Sequence, residues 1–133
     1  MKKNISLVIA DDHEIFRDGL VLLLNKQENM SLVGQATNGR ELVQLVADKK
    51  PDVVLTDIKM PYMDGIAACR LMLQQDPTLR IIALSMFEEE DLIVEMLEAG
   101  AKGYLLKGTM WTELPGAIRE VLAGGVYLSP RAV

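Results

Sequence analysis

The feature that most restricts the fold is a regular alternation of short apolar runs with longer segments that carry apolar residues at helical spacing. The runs are rich in Val, Ile and Leu and occupy residues 5–10, 31–36, 52–57, 80–84 and 102–106. Strands that are covered on both faces lose the polar alternation of a half-exposed strand. Strand followed by helix, five times over, therefore predicts a doubly wound parallel sheet with helices on both faces.

Each segment that follows a run has one apolar stripe. The predicted stripes contain Phe16, Leu20, Leu23 and Leu24; Leu42, Leu45 and Val46; Ile66, Cys69, Met72 and Leu73; Leu92, Ile93, Met96 and Leu97; and Leu114, Ala117, Ile118, Val121 and Leu122. The fourth helix is expected over about 89–99, where Gly100 stops it. The fifth is expected to end at Gly124-Gly125. Because Pro115 lies just inside it, either this helix starts near Thr112 or its first turn is distorted.

Length and charge bound the class of protein. The 133 residues suffice for one domain with a sizeable core. A net charge of −5 argues against nucleic-acid binding by this segment, which would need a basic face. The single cysteine, Cys69, allows no intramolecular disulfide, so a reducing cytoplasm is expected. No apolar run approaches the roughly 18 residues of a membrane span, and no signal peptide is expected.

Polar residues stand where four of the predicted strands end. Asp11 and Asp12 follow the first run, Asp57 ends the third, Ser85 follows the fourth and Lys107 follows the fifth. The carboxyl ends of parallel strands meet at one edge of a sheet, where open α/β sheets place their sites. Three carboxylates, a hydroxyl and an ammonium group are therefore predicted to lie together.

Clustered carboxylates require a cation, and magnesium takes few protein ligands. Asp12 and Asp57 are the natural direct ligands, Asp11 could hold a metal-bound water, and the Lys59 carbonyl is a further candidate. A carboxylate such as Asp57 can attack phosphorus to form an aspartyl phosphate. Phosphoryl transfer then needs charge neutralisation and positioning more than acid–base chemistry.

The partners for the phosphoryl oxygens are a lysine and a serine. Lys107 would pair with one phosphoryl oxygen as a compact point charge, and the Ser85 hydroxyl would donate to another. Structural rather than functional interpretations also exist for residues 12 and 13. Asp12 could cap the first helix, and His13 is more typical of a helix start than of a zinc site.

The acidic run 88–91 is more typical of a solvated first helical turn, which complements the helix dipole, than of a metal site. Trp111 could be an exposed contact residue or could pack at the start of its helix.

The chain resembles the receiver domain of a two-component response regulator over nearly its whole length. The resemblance rests on Asp11-Asp12, on the segment 57–65 with its Met-Pro and Asp-Gly turn, and on the spacing of Ser85, Tyr104 and Lys107. It implies a flavodoxin-like (CheY-like) α/β fold with a five-stranded parallel sheet and five helices. It also implies a cytoplasmic protein that acts without enzyme activity beyond its own phosphorylation and dephosphorylation.

The resemblance also assigns a role to each site residue. Asp57 would accept a phosphoryl group from a sensor histidine kinase. Asp11 and Asp12 would bind Mg²⁺ (or Mn²⁺) together with Asp57 and the backbone carbonyl of Lys59. Of the remaining residues, Ser85 and Tyr104 would form the switch pair, and Lys107 would pair with the phosphate.

Finer features are similar to the NarL/FixJ subfamily, whose members usually carry a helix-turn-helix DNA-binding domain. These features are segments 11–13, 17–20, 99–107 and 125–130. The resemblance implies a receiver domain over 1–125 and, over 126–133, the start of a linker to a C-terminal DNA-binding domain that is not in this chain. DNA would be bound only through that domain, and a homodimer could form through receiver faces.

Three residues depart from the family pattern. Gly108 stands where many receivers have Pro, so no cis peptide is assumed there. Glu14 adds negative charge near the predicted metal site. Met86 follows the switch serine, and its bulk predicts slower reaction with small phosphoryl donors and slower hydrolysis than a small residue would allow.

The main hypothesis is a phosphorylation switch, in which Ser85 moves to the phosphoryl group and Tyr104 rotates inward, so that the face of the fourth and fifth helices changes shape. The runner-up is a magnesium-dependent phosphohydrolase with an aspartyl-phosphate intermediate. A third hypothesis is a stand-alone receiver that acts as a binding module.

Overall fold

The computed structural model describes residues 4–86 and 90–129. Its strands are β1 (Ile5–Ala10), β2 (Met30–Ala36), β3 (Val53–Asp57), β4 (Arg80–Ser85), β5 (Gly103–Leu106) and β6 (Tyr127–Leu128). Its helices are α1 (Glu14–Asn25), α2 (Gly39–Lys49), α3 (Gly65–Gln75), α4 (Glu90–Glu98) and α5 (Met110–Leu122). The strands form one sheet in the order β2-β1-β3-β4-β5-β6, and all paired strands are parallel.

The predicted parallel α/β fold with five helices is confirmed, and the order of the first five strands is the flavodoxin-like one. The prediction of five strands is wrong, because Tyr127–Leu128 adds a sixth strand beside β5. The backbone N–H of Tyr127 donates to the Lys102 carbonyl at 2.9 Å, and that of Ser129 donates to the Tyr104 carbonyl at 2.9 Å. A strand of two residues is too short to show any periodicity in the sequence.

The new strand lies inside the segment 126–133 that was predicted to begin a linker. Residues 130–133 of that segment lie outside the described part of the chain. The domain boundary at residue 125 stays a prediction.

Alternate residues of each strand supply two cores, one on each face of the sheet. Val8, Ala10, Val54 and Ile81 point toward α2, α3 and α4. Leu7, Ile9, Leu55 and Ile82 point toward α1 and α5. Because both faces are covered, the strands are apolar at nearly every position.

The bounds of two helices differ from the prediction. Helix α4 begins at Glu90 among the described residues, while Glu88 and Glu89 of the predicted acidic first turn lie outside them. Helix α5 starts at Met110, before the predicted Thr112, which places Pro115 in its second turn. Pro115 has no N–H to donate to the carbonyl of residue 111. No helix in the described ranges is long and apolar enough to cross a membrane.

The turn before α3 holds the end of β3 in place. Asp64 caps α3, because its Oδ1 accepts a hydrogen bond from the Ala67 N–H at 2.8 Å. The Gly65 N–H donates to the Ile58 carbonyl at 2.7 Å. A Cβ atom on Gly65 would overlap the carbonyl oxygen of Asp57. Glycine therefore allows the helix start to lie directly against the strand end that carries Asp57.

Candidate functional site

Asp57 lies at the carboxyl end of β3, between β1 and β4 in the centre of the sheet. Its side chain is 9% exposed. Oδ1 accepts a hydrogen bond from the Ile58 N–H at 2.8 Å, and Oδ2 lies 3.2 Å from Nζ of Lys107. One oxygen of the Asp57 carboxylate is thus fixed by a backbone N–H, and the other faces the Lys107 ammonium group.

Lys107 joins two buried carboxylates. Its Nζ donates to Oδ2 of Asp11 at 2.6 Å, and both side chains are almost fully buried, with 6% and 1% of their surface exposed. The backbone N–H of Lys107 donates to the Ser85 carbonyl at 2.8 Å, which fixes the start of the loop after β5. Charges buried to this degree require such pairing.

The pKa of Asp57 is raised above its usual value, first because burial disfavours the carboxylate form. The Lys107 ammonium group opposes this shift, the Asp11 carboxylate adds to it, and the hydrogen bond from Ile58 opposes it. One ammonium group between two carboxylates leaves net negative charge in a poorly solvated place. A bound cation would offset that charge.

Asp12 and His13 extend the acidic group toward solvent. Oδ1 of Asp12 lies 3.3 Å from Nδ1 of His13, and 33% of the Asp12 side chain is exposed. The same His13 nitrogen lies 3.1 Å from Oδ1 of Asp11. One ligand atom from each of Asp11, Asp12, His13 and Asp57 can be chosen so that all lie within 4.8 Å of one another. Three carboxylates in four donors fit a hard divalent cation such as Mg²⁺.

The capping interpretation of Asp12 fails. The N-cap residue of α1 is His13, and it makes no capping hydrogen bond through its side chain. His13 is thus the helix-start residue that was predicted. The backbone N–H of His13 instead donates to Oδ1 of Asp11 at 2.8 Å, so the loop orients the Asp11 carboxylate.

A cavity of about 510 Å³ opens on the exposed side of Asp57. Its lining residues are Asp12, His13, Asp57, Lys59, Met86 and Lys107. Lys59 is an exposed residue two positions after Asp57, the last residue of β3. Met86, one of these lining residues, is 73% exposed. Gly108 is joined to Lys107 by a trans peptide, and Glu14 is an exposed residue at the start of α1.

Ser85 and Tyr104 lie on neighbouring strands, at the end of β4 and within β5. Ser85 is 1% exposed, and Tyr104 is fully buried in the core on the α2–α3–α4 face. The Tyr104 side chain is therefore already buried in this structure, and its movement on phosphorylation stays a prediction.

The site includes contacts that the sequence interpretation missed. Arg17 donates from Nη1 to the Asp11 carbonyl at 2.8 Å. The Phe16 ring centroid lies 4.3 Å from Nζ of Lys107 and 5.5 Å from that of Trp111. Trp111 therefore packs at the start of α5, although it is 40% exposed. The sequence placed Phe16 only in the apolar stripe of the first helix, because helical periodicity gives no information about contacts with the residue that follows β5.

Comparison with known proteins agrees with this geometry. The model of the response regulator receiver domain family matches residues 7–119. The response regulator GacA of Pseudomonas syringae pv. syringae is 39% identical over 127 residues, which are 96% of this chain and 59% of GacA. The chain thus spans about three fifths of the length of this relative.

Two solved structures are similar over almost their whole length. A LuxR-family two-component response regulator from Aurantimonas sp. SI85-9A1 has a TM-score of 0.94 and 32% identity, over 98% of this chain and 93% of that one. The isolated receiver domain of RcsB from Salmonella enterica serovar Typhimurium, with the phosphomimetic BeF₃⁻, has a TM-score of 0.89 and 28% identity. That match covers 98% of this chain and 96% of the RcsB chain.

Proposed function

This chain belongs to the response regulator receiver domain family, and we propose that it is a phosphorylation switch in which Asp57 accepts a phosphoryl group from a histidine kinase. The observation that carries the proposal is the buried Asp57 carboxylate with the Lys107 ammonium group 3.2 Å away. Both stand at the edge of a cavity that a phosphoryl donor can enter. The phosphomimetic in the RcsB receiver structure supports it by analogy.

In the transfer, a carboxylate oxygen of Asp57 forms a bond to phosphorus while the bond from phosphorus to the kinase histidine nitrogen breaks. The electron pair of that bond stays on the leaving nitrogen. Asp12, Asp57 and the Lys59 carbonyl would hold Mg²⁺ (or Mn²⁺), with Asp11 acting through a water. The cation supplies neutralisation of the phosphoryl charge. Lys107 pairs with a phosphoryl oxygen from the position it already occupies beside Asp57.

The signal would pass from the phosphoryl group through Ser85 to Tyr104. The Ser85 hydroxyl donates to a phosphoryl oxygen, and the shape of the face formed by α4, β5 and α5 follows the position of Tyr104. Phosphorylation shifts the equilibrium between the inactive and the active conformation only by the difference in the stability that it gives to each of them. A Ser85→Ala chain should accept the phosphoryl group and fail to switch; full switching in that variant would contradict the coupling.

The output of the switch would be transcription control by a helix-turn-helix domain that follows the receiver, as in the NarL/FixJ subfamily. In support, the chain spans only 59% of GacA, and RcsB has been solved as dimers bound to DNA. We therefore propose a receiver over 1–125, a connecting segment from 126 that first pairs with β5 and then leads to the output domain, a cytoplasmic location, and homodimers through receiver faces. DNA contact belongs to the output domain.

The test is intact mass spectrometry after incubation with acetyl phosphate. The wild-type chain should gain one phosphoryl group with Mg²⁺ and none with EDTA, and Asp57→Asn should gain none. An adduct that persists in Asp57→Asn would contradict the assignment. So would the lack of any adduct with small donors and with a phosphorylated kinase.

We propose no activity on external substrates beyond phosphorylation and dephosphorylation of Asp57 itself. A phosphohydrolase would use the same nucleophile, so turnover decides between the two. A screen of phosphate esters should show at most one phosphoryl group transferred per chain before slow hydrolysis. Fast multiple turnover of any ester, lost in Asp57→Asn, would establish the enzyme instead.

A further inference from the structure

An aromatic ring lies against the ammonium group of Lys107. Nζ carries three N–H donors, and it lies 2.6 Å from Asp11 and 3.2 Å from Asp57. On a further side it stands over the Phe16 ring, 4.3 Å from the ring centroid. A cation within about 6 Å of a ring centroid is attracted by the negative face of the ring. Phe16 thus contacts the charge that is expected to pair with the phosphoryl group.

The Phe16 ring is itself held by Trp111. Their centroids are 5.5 Å apart with an angle of 55° between the rings, a tilted arrangement favoured by aromatic pairs. Trp111 fits between the helices because residue 19 of α1 is glycine. A Cβ atom there would lie 3.0 Å from the Trp111 ring. Two helices therefore fix the position of the ring beside Lys107.

The first residue of the loop after Lys107 has no side chain that could pack against the lysine. Gly108 has no side chain, and no heavy atom lies within 4 Å of where its Cβ would stand. The contacts recorded for the Lys107 ammonium group are its charge partners Asp11 and Asp57 and the ring of Phe16. The Phe16 ring attracts the ammonium group but offers it no hydrogen-bond acceptor oxygen. The N–H groups of Lys107 therefore stay directed at the carboxylate oxygens of Asp11 and Asp57.

We propose that Phe16, supported by Trp111, is a positioning residue that restrains the Lys107 ammonium group for phosphoryl transfer. This inference rests on the proposed function of Asp57 and adds to it a residue outside the polar site. The proposal depends on the aromatic face of Phe16 and not on the volume of its side chain alone. A side chain of similar size without a ring would fill the space and would not restrain the charge in the same way.

The kinetic test compares Phe16→Leu with Phe16→Tyr, which keeps the ring. The phosphorylation rate by acetyl phosphate at saturating Mg²⁺ should fall about tenfold in Phe16→Leu. It should stay within about twofold of wild type in Phe16→Tyr. The loss should lie in the maximal rate rather than in the acetyl phosphate concentration for half-maximal rate. Trp111→Leu should give a smaller loss, since it removes only the support of the ring.

A spectroscopic test needs no phosphorylation. The ε-methylene protons of Lys107 should show a ring-current shift in NMR spectra of the wild-type chain and of Phe16→Tyr. The shift should be lost in Phe16→Leu. If Phe16→Leu does not fold, Phe16→Met provides the ring-free variant for both measurements.

Three results would overturn the inference. They are a wild-type rate in Phe16→Leu, an equal loss in Phe16→Tyr, and a Lys107 shift that does not depend on the ring. If the wild-type chain forms no adduct, the proposed function fails instead. The NMR comparison then still decides whether Phe16 restrains Lys107.

Discussion

The site around Asp57 has two halves that differ in solvent exposure. The buried half consists of Asp11, Lys107 and Phe16, and its two charged side chains are 1% and 6% exposed. The open half consists of Asp12, Lys59 and Met86; the Asp12 side chain is 33% exposed, and Met86 is 73% exposed. In the buried half, Lys107 and Asp11 are joined directly at 2.6 Å.

This difference separates two tasks. Buried charges must be paired for the chain to fold, so the Asp11–Lys107 pair is formed before any phosphoryl donor arrives. The open half faces the cavity, where a cation and a donor can enter. Variants that remove a charge from the buried half should therefore lower stability as well as rates, and variants of the open half should change binding and rates without lowering stability.

The largest effect is expected for Lys107→Met, which keeps most of the apolar stem and removes the charge. It leaves Asp11 and Asp57 as close, buried carboxylates without their cation. The free energy of unfolding in EDTA should fall by about 3 kcal/mol in urea denaturation. Asp12→Asn is the matched variant from the open half. A loss for Lys107→Met below about 1 kcal/mol, as at an exposed pair, would remove the distinction between the halves.

Asp12→Asn should act on cation binding instead. We expect its dissociation constant for Mg²⁺ to rise on the order of tenfold in calorimetric titration. Its free energy of unfolding in EDTA should change by less than about 0.5 kcal/mol. Asp18→Asn, an exposed acid on α1, removes the same charge and serves as the control. Equal weakening in both variants would mean that only net charge matters.

Met86→Ala should affect rates a few-fold without affecting stability. Because the exposed Met86 side chain lines the cavity beside Asp57, its truncation should speed both phosphorylation by acetyl phosphate and hydrolysis of the aspartyl phosphate. Both rates can be followed by intact mass. Val94→Ala shortens another exposed apolar side chain, on α4, and should change neither rate. Unchanged rates in Met86→Ala would show that the open half admits donors freely.

The smallest effect is a pH-dependent gain in stability for Asp57→Asn. Burial raises the folded-state pKa of Asp57 above the unfolded value. The stability that Asp57 contributes is therefore fully present below its unfolded pKa of about 3.9 and is lost as the pH rises through the folded pKa. In EDTA, Asp57→Asn should be more stable than wild type at pH 7, and the gap should close near pH 4. A less stable variant at pH 7 would contradict this.

The polar edge of the sheet was predictable because strand ends are visible in the sequence. Runs of Val, Ile and Leu mark strands, and parallel strands bring their ends together, so Asp11, Asp57 and Lys107 were correctly expected to meet. The roles of these residues in phosphoryl transfer stay predictions.

Contacts between helices and loops were not predictable in the same way. Periodicity placed Phe16 in a buried stripe, yet it carried no information about Lys107, 91 positions further along the chain. Gly19 in the middle of α1 was the available signal, since a glycine inside a helix often marks a close approach, here by Trp111. The sixth strand was missed because two residues show no pattern.

The most direct test of the account is the position of the phosphoryl group. The chain is treated with acetyl phosphate and Mg²⁺, the acyl phosphate is reduced with borohydride, and the resulting homoserine is located by tandem mass spectrometry. The account predicts homoserine at position 57 and nowhere else. Homoserine at Asp11 or Asp12, or a phosphoryl group on Ser85, would contradict the central role of Asp57.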